Sequence, residues 1–221
     1  MDVIVPFSTD RPKSRLSEVL TAEERTAFAR AMLRDVLAVV VAAGGEPRIL
    51  ATGEIDADIS HPIAVDERSL TTAVNAALGS HSGSDTDCAD DPRKTPEPVA
   101  IVMADLALAT PEALDRLFAA GTKADIAIAP GRGGGTNALV VDHPAFRVDY
   151  HGASYVDHRR ISEEIGASVH AVDSHRLATD VDEPADLAEL LIHGEGSAAQ
   201  WLEQAGFTLD TTGGRVGVVR E

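Results

Sequence analysis

Cysteine is almost missing from this chain: Cys88 stands alone among 221 residues. A single thiol excludes a disulfide framework and a cysteine-built zinc centre. Long apolar runs are missing too. The longest, residues 36–43, is far too short to span a bilayer and reads as one end of a helix. Met1 leads almost at once into a strand-like stretch, without the basic region and apolar core of a secretory signal. Residence in the cytoplasm and no membrane partner are therefore expected. Lysine is scarce, at Lys13, Lys94 and Lys123, and the basic total of 19 faces 36 acids for a formal charge of −17. Such a surface repels phosphate backbones, which argues against a nucleic-acid partner. It suits a salt-rich cytoplasm, where screening relieves the self-repulsion.

What is present is an alternation of short apolar runs with amphipathic stretches. Hydrophobic residues make up 44% of the chain, enough for a globular core. Residues 3–7, 48–52, 62–65, 99–103, 126–129, 138–141 and 169–172 read as strands. Thr21 and Glu24 form a capping box; Phe28, Met32, Val36 and Val40 then recur on one helical face until Gly44-Gly45 stops it. Ser69 can cap a helix whose apolar face carries Leu70, Ala73, Val74 and Ala77, and Thr110-Pro111 opens another that Gly121 stops. Further helices are expected over 155–165, 184–193 and 198–205. Residues 79–98, rich in Ser, Asp, Gly and Pro, read as a solvated surface insertion, and 206–221 as a C-terminal hairpin about Gly213-Gly214. The pattern predicts one α/β domain over 1–221, with a mixed, mainly parallel sheet flanked by helices on both faces. Such sheets bind ligands beyond the carboxyl ends of their strands.

Several candidate residues fall there. Lys13 and Arg15 lie in the loop after the first strand, and two cations so close in an acidic chain either grip a polyphosphate or simply face solvent. Asp105 follows the strand 99–103; it can hold magnesium, or cap a turn. Asp180 and Asp182 project to the same side of an extended segment. Asp182 is expected to cap the helix at Pro184, leaving Asp180 as the metal ligand. The glycine-rich loop 131–137 can approach an anion, yet it matches neither the phosphate-loop nor the dinucleotide pattern. His143, His151, His158, His170 and His175 show no metal-binding spacing, and most read as surface residues. Gly152 and Ser154 offer a backbone approach and a hydroxyl at a helix start, for an anion or as a plain cap.

In this order the pieces resemble the 2-phospho-L-lactate guanylyltransferases of the CofC family. The resemblance runs through Val5-Pro6-Phe7, Pro12 to Leu16, Glu24-Arg25, Phe28 to Val36, Asp105-Leu106, Gly135 to Leu139, Gly152 with Ser154, and Asp180 to Leu187. It spans residues 1 to about 191 and rests on their ordered combination. It implies a nucleotidyltransferase (GT-A-like, MobA-like) fold, similar to the molybdenum-cofactor guanylyltransferases. The reaction implied joins GTP to 2-phospho-L-lactate, releases pyrophosphate and yields lactyl-2-diphospho-5′-guanosine for coenzyme F-420. Lys13, Arg15 and Asp105 would then be catalytic, with Pro6, Phe7, Asp66, Leu70 and Thr71 completing the nucleotide site. Asp105, Asp180 and Asp182 would hold one or two magnesium ions. Thr136, Gly152 and Ser154 would receive the phospho-acid, and a homodimer is possible. The sequence departs from the fold's habit of an Asn near residues 70–72, where Leu70-Thr71-Thr72 stands. Alternatives are phosphoenolpyruvate as acceptor, another nucleotidyltransferase of this fold, and a non-catalytic nucleotide-binding protein. Against the second, residues 6–10 replace a glycine-rich phosphate loop without one glycine.

Overall fold

The computed structural model describes residues 1–55, 59–82 and 97–221. Cys88, Lys94 and most of the expected insertion lie outside the described residues. Seven strands form the main sheet: β1 (Asp2–Phe7), β2 (Glu46–Ala51), β3 (Ile63–Val65), β4 (Val99–Val102), β5 (Ile126–Pro130), β6 (Thr136–Val141) and β7 (Val169–Ala171). Their order is β3-β2-β1-β4-β6-β5-β7. β6 runs antiparallel to both neighbours, and the remaining pairs are parallel. Strands β8 (Phe207–Asp210) and β9 (Gly217–Arg220) pair separately as an antiparallel ribbon.

Residues 3–7 of β1 and all of β4 are apolar because helices cover both faces. On one side α1 (Ala22–Ala42), α3 (Pro111–Gly121), α6 (Pro184–His193) and α7 (Ser197–Gln204) pack with Val3, Val5, Ala100 and Val140. On the other, α2 (Leu70–Ser82) and α4 (Ser154–Glu164) cover Ile4, Ile101, Ile128 and Leu139. A short α5 (His175–Ala178) precedes α6. α1 begins at the expected capping box: Glu24 N–H donates to Thr21 Oγ1 at 3.2 Å, and Thr21 N–H to the Glu24 carboxylate at 2.8 Å. It ends where Gly44 takes φ +74°, a left-handed turn that other residues resist.

Four details differ from the sequence expectation. α2 continues through Ser82, so residues 79–82 are helical rather than part of an insertion. β6 begins at Thr136, which moves Thr136 and Asn137 out of the glycine loop and into the sheet. The short α5 has too few residues for a periodic signal. His158, one of five histidines most of which read as surface residues, is fully buried. Among the described residues no helix is long and apolar enough to cross a membrane.

This topology sets up a site. The chain leaves β1 towards β2 on one side and β4 on the other, so a crevice opens at the carboxyl ends of β1 and β4. Because β6 is antiparallel, its amino end arrives at that same edge beside the carboxyl end of β5.

Candidate active site

A cavity of about 490 Å³ lies at this edge, within the size range of small-molecule sites. Pro6, Phe7, Lys13, Asp66, Leu70, Asp105 and Asp182 are among its walls. Leu70 presents a 39% exposed side chain rather than joining the core, because its helix starts at the cavity rim.

The loop after β1 makes its turn without glycine. Arg11 and Lys13 instead adopt φ 41° and 53°, the left-handed region that ordinary side chains resist. Each such residue costs on the order of 1 kcal/mol, and such costs gather where a ligand-facing group must be aimed. Here the strain turns Lys13 inward. Its Nζ donates to Asp105 Oδ2 at 2.8 Å and to Asp182 Oδ1 at 2.6 Å, with only 10% of the side chain exposed. Burial alone would lower its pKa. The two carboxylates outweigh that and hold it above the ordinary lysine value. Arg15 lies at the rim, 67% exposed and 3.7 Å from carboxylate oxygens of Asp182 and Glu183.

The carboxylates divide into two kinds. Asp182 is committed to Lys13, and it does not cap α6 as the sequence suggested. The backbone N–H groups of Asp182 and Glu183 both donate to the Asp186 carboxylate, at 3.1 and 2.8 Å, so Asp186 closes that turn. Asp186 also accepts from Arg132 of the glycine loop at 2.7 Å. Asp105 gives one oxygen to Lys13, while its Oδ1 is buried without a hydrogen-bond partner. Asp180 accepts from Asn137 Nδ2 at 3.1 Å. Burial and then the charge of Asp105 push the Asp180 pKa up. A buried orphan oxygen beside an electrostatically strained carboxylate suits a hard cation, since magnesium prefers oxygen ligands from one or two carboxylates.

Asn137 and Arg132 were not singled out from the sequence. Asn137 is 6% exposed, and it also donates to the Leu177 carbonyl at 3.0 Å. Gly131 makes room for it, since a Cβ there would sit 2.5 Å from Asn137 Oδ1. The glycine loop therefore seats Asn137, which in turn aims Asp180.

The expected acceptor residues are placed differently. Thr136 and Ser154 are each 4% exposed and hydrogen-bonded to each other. Thr136 N–H donates to Ser154 Oγ at 2.9 Å, and Thr136 Oγ1 lies 2.9 Å from His158 Nδ1. The Ser154 hydroxyl is not a helix cap, because Ala153 takes the capping position. His158 Nε2 accepts from Asp149 N–H at 2.9 Å, so its Nδ1 carries the proton towards Thr136. Burial lowers the His158 pKa to about 4. Gly152 alone of the three is exposed, at φ +52°. Thr71 also turns away from the cavity, its hydroxyl accepting from Tyr150 N–H at 3.0 Å. Asp66 does face the cavity, paired with Arg68, whose hydrogen bonds lower its pKa to about 2.

Comparison with known proteins gives the chain's family. Residues 1–220 match the family described as "Guanylyl transferase CofC like". A curated 2-phospho-L-lactate guanylyltransferase from Halorubrum lacusprofundi is 68% identical over 226 residues, with both chains covered completely. Another of that name from Haloferax volcanii is 53% identical, covering 100% of this chain and 99% of its own. Among solved structures, a Desulfovibrio desulfuricans G20 protein described as a nucleotide-diphospho-sugar transferase superposes with TM-score 0.74 at 16% identity. That match covers 92% of this chain and 94% of the other. The bifunctional IspDF of Campylobacter jejuni superposes with TM-score 0.56 at 10% identity, over 89% of this chain and 55% of its own. These distant likenesses establish a nucleotidyltransferase-like fold. The matches along the whole length establish the rest: the chain belongs to the CofC-like guanylyl transferase family.

Proposed function

We propose that this protein joins GTP to 2-phospho-L-lactate, releasing pyrophosphate and forming lactyl-2-diphospho-5′-guanosine for coenzyme F-420 assembly. The observation that carries the reading is Lys13, held between Asp105 and Asp182 at the head of an open cavity beside the orphan oxygen of Asp105. A phosphate oxygen of phospholactate attacks the α-phosphorus of GTP in line. The new P–O bond forms as the bond to the β-phosphate bridge breaks, and pyrophosphate leaves. The attacking oxygen is already anionic, so no general base is needed. Catalysis then consists of positioning and of neutralising charge on the phosphates.

Each residue has a task on that scheme. Lys13, kept protonated by its two carboxylates, offers a fixed positive charge to the triphosphate. Asp182 is its counter-ion and holds its aim. Asp105 and Asp180 would hold magnesium, which supplies charge neutralisation and alignment of phosphate oxygens when bound. Arg15 adds a mobile rim charge. Pro6, Phe7 and Leu70 offer apolar surface to the base and ribose, and Asp66 a hydrogen-bond acceptor. Thr136 and Ser154 shape the acceptor side without exposing their hydroxyls, which leaves Gly152 and the glycine loop to meet the phospho-acid with backbone N–H groups. The protein is expected to act as a soluble cytoplasmic enzyme adapted to high salt.

The test is pyrophosphate release at high salt, with each of four nucleoside triphosphates against phospholactate and phosphoenolpyruvate. Release should be greatest with GTP and phospholactate, and Asp105→Ala should abolish it. Release with no pairing would overturn the enzymatic reading, and preference for another pairing would reassign the substrate.

A further inference from the structure

Outside the cleft, α5 and α6 bring His175, Glu189 and His193 together, with one ligand atom from each lying within 4.8 Å of the others. Glu189 and His193 are four residues apart on α6 and share a face. His175 Nε2 lies 3.5 Å from Glu189 Oε2, and His193 Nε2 lies 3.7 Å from the same oxygen. Two donors held ~2.0–2.2 Å from one tetrahedral ion stand about 3.3–3.6 Å apart. Small side-chain movements would therefore close this set on a single ion.

The orientation of His175 suits that role. Thr179 Oγ1 donates to the His175 carbonyl at 3.1 Å, leaving a lone pair to accept from His175 Nδ1–H at 3.3 Å. That arrangement orients the ring with Nε2 aimed at Glu189, as an outer hydroxyl or carbonyl does for metal-bound histidines. Two imidazoles with one carboxylate select zinc and its neighbours, whereas magnesium wants oxygen.

We propose that His175, Glu189 and His193 form a site for a zinc-class divalent cation, with solvent completing its coordination, that clips α5 to α6. Asp180 and Asp182 lie on the segment between those helices. An ion here braces the cleft carboxylates from outside, roughly 10 to 15 Å along α6 from Asp182. The proposal does not depend on which reaction the cleft performs.

The test uses the full chain, stripped with chelator and held in excess Mg²⁺ and about 1 M KCl, where screening acts within ~3 Å. Zn²⁺ followed by calorimetry should bind one ion per chain, and Co²⁺ should give the visible absorption of a tetrahedral complex. His193→Ala and Glu189→Gln, made separately, should each weaken Zn²⁺ at least about 100-fold. Asp105→Asn should leave it within about twofold, because that carboxylate lies outside the set. Zn²⁺ should also raise the Tm of the parent protein and of neither His193→Ala nor Glu189→Gln. Absence of Zn²⁺ binding, binding that survives both substitutions, or binding lost in Asp105→Asn would each overturn the site. Should one variant fail to fold, the other decides.

Discussion

The β1 side of the cleft and the β6–α4 side both carry polar residues and finish them differently. On the β1 side charge is gathered beside open space: Lys13 spans two carboxylates and Asp105 keeps an unpartnered oxygen. On the β6–α4 side Thr136, Ser154 and His158 are buried and hydrogen-bonded through Thr136, and His158 also accepts from Asp149 N–H. The first arrangement stores electrostatic interaction for a ligand, while the second fixes a wall. Polar residues in a family motif can therefore be contacts on one side of a site and scaffolding on the other.

The largest effect should come from the open side. Lys13→Ala removes the buried charge that the strained loop aims inward, and turnover should fall about 10²–10³-fold. Arg15→Ala, at the exposed rim, should cost roughly tenfold or less. Steady-state rates for the pair check the ranking, and an Arg15 loss exceeding that of Lys13 would reverse it.

The closed side should answer in stability and its pH dependence. His158 is buried as the neutral ring, with its pKa lowered from 6.5 to about 4. A base whose folded pKa is depressed contributes stability that is fully present above pH 6.5 and is lost as pH falls from 6.5 towards about 4. The loss should approach roughly 3 kcal/mol by the bottom of that window. Urea unfolding at steps from pH 7 to pH 4.5 measures it, and His158→Gln should flatten the slope. Ser154→Ala should follow at about 1–3 kcal/mol, because it strips the buried Thr136 N–H of its acceptor. If that variant instead kept its Tm and raised only the KM for phospholactate, Ser154 would be a contact after all.

The same division explains what the sequence made legible. The strands were readable because a sheet covered on both faces needs apolar residues at every position, as in Val99–Val102. Lys13 and Asp105 were readable because each follows a strand whose end lies at the cavity, and Asp180 because it alternates with Asp182 in the non-helical stretch before Pro184. Burial of the second side was not readable. Thr136 and Ser154 are 18 residues apart and His158 lies a further turn along α4, so their mutual satisfaction depends on how α4 lies across the antiparallel β6. Asp182 misled for a related reason, since local sequence shows a capping position but not the Lys13 that arrives from 169 residues away. Glu189 and His193 carried a local signal in their spacing of four, but His175 joins them only through the short α5.

The smallest effect discriminates most between the two sides. Asp180 is raised by burial and by Asp105, so its ionised form is disfavoured in the folded protein. A carboxylate raised in this way weakens the fold as pH climbs through the ordinary aspartate range, and the penalty persists at neutral pH. Asp180→Asn removes the charge while its amide oxygen can still accept from Asn137 Nδ2. The variant should lose activity yet melt slightly higher than the parent in the absence of divalent cation. Magnesium should then raise the Tm of the parent more than that of the variant, because the variant has less repulsion to relieve. Thermal melts of both proteins with and without Mg²⁺ decide the matter. A variant that melts lower, or gains as much from Mg²⁺ as the parent, would place Asp180 with the scaffolding of the closed side rather than with the charge held ready on the open one.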